Sequence, residues 1–122
     1  MTPPLPKILI IDDDVDQLQI LGAALEEKYE ILTASDGLDG YALACSAQPS
    51  VVVLDIMMPL VDGWTVLRKV RANPLTKHSR IVIATALDGD GVTQEAAKLN
   101  VSHILRKPID LRQLNDVIAR LS

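Results

Sequence analysis

Lys7-Ile8-Leu9-Ile10-Ile11-Asp12-Asp13-Asp14 is a short, largely apolar run that ends abruptly in three carboxylates. Its length suits a β-strand, and its want of alternation suits a strand buried on both faces. The pattern recurs along the chain. Val51–Leu54 runs into Asp55, Ile81–Ala84 runs into Thr85, and Ile104–Arg106 runs into Lys107-Pro108. If these runs are neighbouring parallel strands, their C-terminal ends converge on one edge of a sheet, where ligands bind in open α/β folds. An acidic cluster, one hydroxyl and one ammonium meeting there form a compact site for Mg²⁺ and a phosphoryl group.

Working outward, the β-like runs are Lys7–Ile11, Glu30–Ala34, Val51–Leu54, Ile81–Ala84 and His103–Arg106. Segments of helical spacing separate them. The first helix is expected over about Val15–Glu27, with Leu18, Leu21, Ala24 and Leu25 on one face and a capping box made by Asp14 and Gln17. A second is expected over about Gly37–Ala47, before Pro49, and a third over about Trp64–Arg71, between the turn Pro59–Gly63 and Asn73-Pro74. The fourth, about Val92–Leu99, follows the loop Asp88-Gly89-Asp90-Gly91 and closes at Asn100, a residue suited to a left-handed C′ position. The last runs over about Leu111–Leu121 behind a second capping box, Asp110 with Gln113. Five alternations of strand and helix predict an α/β fold, a doubly wound parallel sheet covered on both faces.

The chain has 122 residues, enough for one domain with a real core and too few for two. Its apolar fraction of 48% predicts a folded globular protein rather than a disordered one. No apolar stretch approaches the roughly 18–20 residues needed to span a bilayer, and Met1–Pro6 carry no secretory n-region, so a cytoplasmic location is expected. The formal charge of −4 argues against nucleic-acid binding by this domain, because phosphate contacts need clustered cations. Cys45 is the sole cysteine, excluding an intramolecular disulfide, and its apolar neighbours suggest a packing role. With no Phe, the core must be aliphatic.

A single carboxylate after a strand is more often a turn cap than a ligand, and the same holds for Asp12, Asp13 or Asp55 taken alone. The conjunction changes this. Carboxylates crowded at one sheet edge repel, so either they take up protons or a cation neutralises them, and a hard, oxygen-seeking ion such as Mg²⁺ answers economically. Lys107 at the same edge suits an anion with several oxygens. Thr85 adds a hydroxyl, and Ala86 is small enough to leave its backbone N–H open to a ligand. For the Lys107-Pro108 peptide, trans is the default expectation.

These motifs resemble the receiver domain of two-component response regulators, the CheY-like superfamily. They are Ile10–Asp14, Leu54–Gly63 with Asp55-Ile56-Met57-Met58-Pro59, Ala84-Thr85-Ala86, and Lys107-Pro108. The intervals of 30 residues from Asp55 to Thr85 and 22 from Thr85 to Lys107 also match, and the likeness extends from Lys7 to Leu121. It implies a three-layer (βα)5 flavodoxin-like receiver fold with one domain core over about 7–121. It also implies phosphoryl transfer from a sensor histidine kinase or histidine phosphotransfer domain onto Asp55. Asp13, Asp55 and the Met57 carbonyl would bind Mg²⁺ (or Mn²⁺), with Asp12 acting through water. Thr85, Ala86, Lys107 and Met57 would lie against the phosphoryl group. Such a domain catalyses its own modification and slow hydrolysis and is not a turnover enzyme. Its output would be a partner or a self-dimer engaging the fourth helix, last strand and fifth helix, whether it stands alone or heads a longer chain.

Two departures stand out. The family usually has an aromatic residue three positions before the lysine, where this chain has Ile104, and Ile109 replaces a frequent Phe. A β-branched residue suits a buried strand in any case; the sharper expectation is a switch made by Thr85 and Ile104 without ring rotation. Met57 and Leu87, flanking the phosphoryl position, are apolar and offer no help to an attacking water. His78 and His103 have no ligand spacing, and Trp64 is expected to be half exposed in a packing role. Three other classes fit less well. A haloacid-dehalogenase-like phosphatase would want Thr or Val where Asp16 stands, a pseudo-receiver would not need the retained acidic and basic residues, and a flavodoxin-like cofactor binder would need a Gly-rich loop.

Overall fold

A computed structural model describes residues 4–87 and 90–122. Five strands, β1 (Lys7–Ile11), β2 (Glu30–Ala34), β3 (Val51–Leu54), β4 (Arg80–Thr85) and β5 (His103–Arg106), form one parallel sheet in the order β2-β1-β3-β4-β5. Helices α1 (Val15–Leu25), α2 (Gly37–Ala47), α3 (Gly63–Ala72), α4 (Asp90–Lys98) and α5 (Leu111–Leu121) connect and follow them. The expected doubly wound (βα)5 architecture is therefore present.

Alternation of side chains along the strands divides the core in two. Ile8, Ile10, Val51, Val53, Val82 and Leu105 pack with Leu18, Leu21 and Leu25 of α1 and Leu114, Val117 and Ile118 of α5. Leu9, Ile11, Val52, Leu54, Ile81 and Ile83 face the other way, onto Val66, Leu67 and Val70 of α3 and Ala96 of α4. Both faces of the central strands are thus covered, which is why these runs do not alternate with polar residues.

Local chemistry sets the helix ends. Asp14 accepts hydrogen bonds from the N–H groups of Asp16 (3.0 Å) and Gln17 (3.3 Å), and Asp110 does the same for Arg112 (2.9 Å) and Gln113 (3.2 Å). The first helix stops at Leu25, short of the expected Glu27, where the Lys28 N–H bonds the Leu25 carbonyl three residues back and so leaves the four-residue helical ladder. The third gains Gly63 at its start because Asp62, not Gly63, is its cap. In the expected loop at 88–91, Asp88 and Gly89 lie outside the described residues, while Asp90 and Gly91 already belong to α4. Asn100 is left-handed, with φ 56°, as expected of a C′ residue. The Lys107-Pro108 peptide is cis, correcting the trans default.

The loop between β3 and α3 contains a tight turn. The Val61 N–H donates to the Pro59 carbonyl at 2.9 Å across Leu60, whose φ is 68° and whose side chain is 100% exposed. A positive φ at the centre of such a three-residue turn is the strained hand, and leucine has no packing here to offset it. Leu60→Gly should raise stability by about 0.5–1 kcal/mol, the relief of strain less the extra freedom glycine has when unfolded. A urea midpoint that does not increase would show that the turn is not strained.

Candidate functional site

The strand order reverses between β1 and β3, because the chain proceeds from β1 outward to β2 and then returns to lay β3 on the other side. A crevice opens at such a point beyond the carboxyl ends of the strands. Register fixes what lines it. Ile11 pairs with Leu54, so the next residues, Asp12 and Asp55, leave the sheet side by side, and the Asp55 N–H still bonds to the Ile11 carbonyl at 2.9 Å. Thr85 ends β4 opposite Arg106, and the Lys107 N–H extends that ladder to the Thr85 carbonyl at 2.9 Å.

Lys107 reaches back across the crevice. Its Nζ donates to Asp12 Oδ2 at 2.7 Å and to Asp55 Oδ2 at 3.1 Å. The other oxygens are also engaged: Asp12 Oδ1 accepts from the Asp14 N–H at 2.9 Å, and Asp55 Oδ1 from the Met57 N–H at 3.0 Å. Asp12 and Asp55 are 2% and 5% exposed, whereas Asp13 is open to solvent. Burial pushes the Asp55 carboxyl above the usual carboxylate range; the Met57 N–H and Lys107 pull the other way, and the Asp12 charge adds to the rise. Burial also pulls the Lys107 ammonium down, but its hydrogen bonds and charge pairing with Asp12 and Asp55 outweigh that and hold it above its ordinary value.

One oxygen each from Asp12, Asp13 and Asp55 can be chosen so that all three lie within 4.8 Å of one another. Three hard oxygen donors from one crevice fit a hard divalent cation, so this cluster can bind a metal. Gly63 lies against the backbone of Asp55 and Ile56, and its N–H donates to the Ile56 carbonyl at 2.9 Å. A Cβ there would lie 2.3 Å from the Asp55 carbonyl oxygen and 2.6 Å from Ile56 Cα, both backbone atoms that cannot move aside, so the loop needs glycine for space.

The structure brings together Asp12, Asp13, Asp55 and Lys107, with Met57 on the Asp55 carboxylate. Thr85 is fully buried at the neighbouring strand end, but its hydroxyl accepts the Leu87 N–H at 3.1 Å. Ala86 is exposed beside it, and Ile104 is half-buried on the α3 side of the sheet. Met57, 56% exposed, and Leu87 join Ile56, Met58, Pro59, Asp62 and the half-buried Trp64 around a groove of about 480 Å³. Cys45 is half-buried and accepts from Asn73 Nδ2 at 3.4 Å. Sequence reasoning passed over Arg71, whose guanidinium bonds the carbonyls of Leu99 and Asn100 just after α4, and Arg106, whose guanidinium bonds the Leu87 carbonyl just after β4. An arginine that serves carbonyl oxygens has no motif, so nothing in the local sequence marks it.

A family model described as the response regulator receiver domain matches residues 8–119. This chain belongs to that family. Receiver domains are signalling domains that work with histidine kinases and output domains. Response regulator PleD of Caulobacter vibrioides is 42% identical over 105 residues, covering 85% of this receiver domain and 23% of that protein. The chain therefore spans less than a quarter of that relative's length. The probable chemotaxis protein CheY of Rhizobium etli is 33% identical over 114 residues, or 92% of this chain and 88% of that one. Among solved structures, the chemotaxis protein CheY4 of Vibrio cholerae superposes with a TM-score of 0.91 at 27% identity, covering 97% of this receiver domain and 99% of that chain. No helix among the described residues is long and apolar enough to cross a membrane.

Proposed function

We propose that this receiver domain accepts a phosphoryl group on Asp55 from the phosphohistidine of a sensor histidine kinase or histidine phosphotransfer domain, and that the modification alters its surface for an output partner. The observation that carries this reading is a buried carboxylate at the topological switch point, crowded by two others and held by one lysine.

The chemistry follows from those contacts. An Asp55 carboxylate oxygen attacks phosphorus in line as the bond from phosphorus to the imidazole nitrogen breaks. The electron pair stays on that nitrogen, and the product is an aspartyl phosphate. Lys107, shared between Asp12 and Asp55 beforehand, has a new acceptor in a phosphoryl oxygen, and the Thr85 hydroxyl and Ala86 N–H add donors as charge builds. Mg²⁺ (or Mn²⁺) held by Asp13, Asp55 and the Met57 carbonyl, with Asp12 through water, would supply the charge that lets two carboxylates and a phosphoryl group share the crevice. The domain so modified, with its core over 7–121, is not a turnover enzyme. It works in the cytoplasm, makes no direct nucleic-acid contact, and signals to a partner or a second copy through α4, β5 and α5.

The test is intact mass after incubation with acetyl phosphate and Mg²⁺. A metal-dependent gain of one phosphoryl group supports the reading; no gain in the folded protein reduces it to an interaction module. A second expectation concerns lifetime. Met57 and Leu87 border the site with side chains that cannot orient or deprotonate a water. Met57→Asn should shorten the lifetime of the aspartyl phosphate, by roughly ten-fold, a modest share of what general-base help can supply. Phosphate release that is unchanged or slower in the variant would show that these positions do not govern hydrolysis.

A further inference from the structure

At the amino-terminal edge of the sheet, where α3 ends and the chain turns toward β4, several cations gather at one corner. Lys69, Lys77, His78 and Lys98 are all exposed, as are Pro74 and Leu75. Arg71 holds the segments that carry them together. Its Nη1 donates to the carbonyls of Lys77 (2.9 Å) and Ser79 (2.6 Å), its Nη2 to that of Asn100 (3.0 Å) and its Nε to that of Leu99 (2.9 Å). One planar guanidinium thus fixes the turn bearing Lys77 and His78 against the turn that follows Lys98. Lys69 and Lys98 lie in the last turns of α3 and α4, where cations suit the helix dipole. Lys77 and His78 lie outside any helix, so the dipole does not account for them. Ion pairing does not account for them either. Among the described residues no carboxylate bridges Lys69, Lys77, His78 or Lys98, and Glu95 of α4 is taken by Arg68 at 3.6 Å.

Beside these cations a groove of about 450 Å³ is lined by Tyr41 of α2 and by Lys69, Ala72, Asn73 and Pro74. The residues lining it are held in place. Asn73 Nδ2 donates to the Tyr41 hydroxyl at 2.8 Å, and Asn73 Oδ1 accepts the Leu75 N–H at 2.9 Å. The Asn73 carbonyl accepts the N–H groups of Thr76 (3.0 Å) and Lys77 (2.8 Å). The Lys69 ammonium lies over the Tyr41 ring, 5.6 Å from its centre. Leu75, next along the chain from the groove, is 54% exposed. A surface fixed in this way loses little freedom on binding. The six residues of β4, at about 3.3 Å each, put the corner roughly 20 Å from the Thr85 end of the sheet.

We propose that this corner binds an acidic segment of a partner protein, its carboxylates meeting Lys69, Lys77 and Lys98 and an apolar side chain meeting Pro74 and Leu75. Charge complementarity favours this occupant over the other polyanions. A single-stranded nucleic acid wants open aromatic faces for its bases, and here Lys69 covers the Tyr41 ring. An anionic lipid surface wants a wider apolar face than Pro74 and Leu75 provide. Binding at this corner does not depend on the chemistry proposed for Asp55.

Fluorescence anisotropy of a fluorescein-labelled peptide of glutamates around one leucine tests this, with the full chain at low ionic strength. The native protein should bind it, and should bind a version with serine in place of glutamate at least about ten-fold more weakly. Lys77→Glu combined with Lys98→Glu should weaken binding by about ten-fold or more, because like charges then face the peptide. Lys28→Glu combined with Arg112→Glu, the same change of charge at exposed sites elsewhere, should leave binding as it is. Leu75→Ser should weaken it by about three-fold, a modest loss because the side chain is already half-buried. A native protein that does not bind the peptide, or binds the serine version equally, overturns the assignment. Equal losses in the two double variants would reveal general attraction between charges and overturn it too. Leu75→Ser binding as well as native would remove the apolar contact. Tighter binding of a single-stranded RNA or of phosphatidylserine vesicles, abolished by Lys77→Glu with Lys98→Glu, would overturn the acidic segment in favour of that partner.

Discussion

Asp55→Asn should gain no phosphoryl group from acetyl phosphate and Mg²⁺ under conditions where the native chain gains one. The amide has the shape of the carboxylate, but its single oxygen can keep just one of the Met57 and Lys107 contacts, which fall on different carboxylate oxygens, and it carries no charge with which to attack. The loss should amount to at least about a thousand-fold in rate, the scale on which removing a nucleophile acts. Full labelling of the variant would move the nucleophile to Asp12 or Asp13. The same substitution should make the metal-free protein more stable at neutral pH. Burial raises the Asp55 pKa in the folded chain, so the folded state binds this proton more tightly than the unfolded one. Stability from this group is then fully present below the ordinary carboxylate range and falls as pH rises through the raised folded value. Thermal midpoints in EDTA should accordingly favour the variant at neutral pH and converge below the carboxylate range. A variant that melts lower than native at neutral pH would mean that the Lys107 pairing outweighs burial.

Lys107→Ala should be the most damaging single change to the metal-free fold. It leaves Asp12 and Asp55, nearly inaccessible and side by side, with no cation. Removing one partner from a buried ion pair costs about 3–5 kcal/mol, because the remaining charge keeps its desolvation penalty. The pH dependence distinguishes this from simple loss of packing. Lys107 has a raised folded pKa, so its contribution is complete below the ordinary lysine value and is lost as pH rises through the folded value. At the acid end the two carboxylates take up protons and need the lysine less. The stability gap between native and Lys107→Ala should thus be widest between these limits and narrow on both sides. Chemical denaturation across pH reads it directly, and a gap flat with pH would assign the loss to packing. Phosphorylation by acetyl phosphate should fall by about a hundred-fold without vanishing, as the nucleophile remains while one charge-stabilising donor is gone.

Much of this fold is written in short stretches. Val51–Leu54 is uniformly apolar because both faces of β3 are covered, and the residue after it has to leave the sheet. Asp14, Asp62 and Asp110 each cap the helix that follows through their own side chains. Such features depend on neighbours within a few positions, so spacing and residue type reveal them. The ends of α1 and α4 were less legible, because they depend on where a turn N–H finds a carbonyl. The cis Lys107-Pro108 peptide was not legible at all, since both isomers are open to an X-Pro bond and local sequence does not choose between them.

The amino-acid sequence by itself determined the alternation of strands and helices, the aliphatic core, and which side chains stand at the strand ends: Asp12, Asp13, Asp55, Thr85 and Lys107. Each of these follows from the local balance of burial, backbone hydrogen bonding and turn chemistry. Only the tertiary structure decided that β1 lies beside β3, so that carboxylates from distant parts of the chain meet in one crevice. It alone brought Lys107 onto Asp12 across 95 positions, and turned Arg71 onto the Leu99 carbonyl and Arg106 onto that of Leu87. Strand order and arginine-to-carbonyl bonds are set by the free energy of the whole packed chain, which no short stretch of it records.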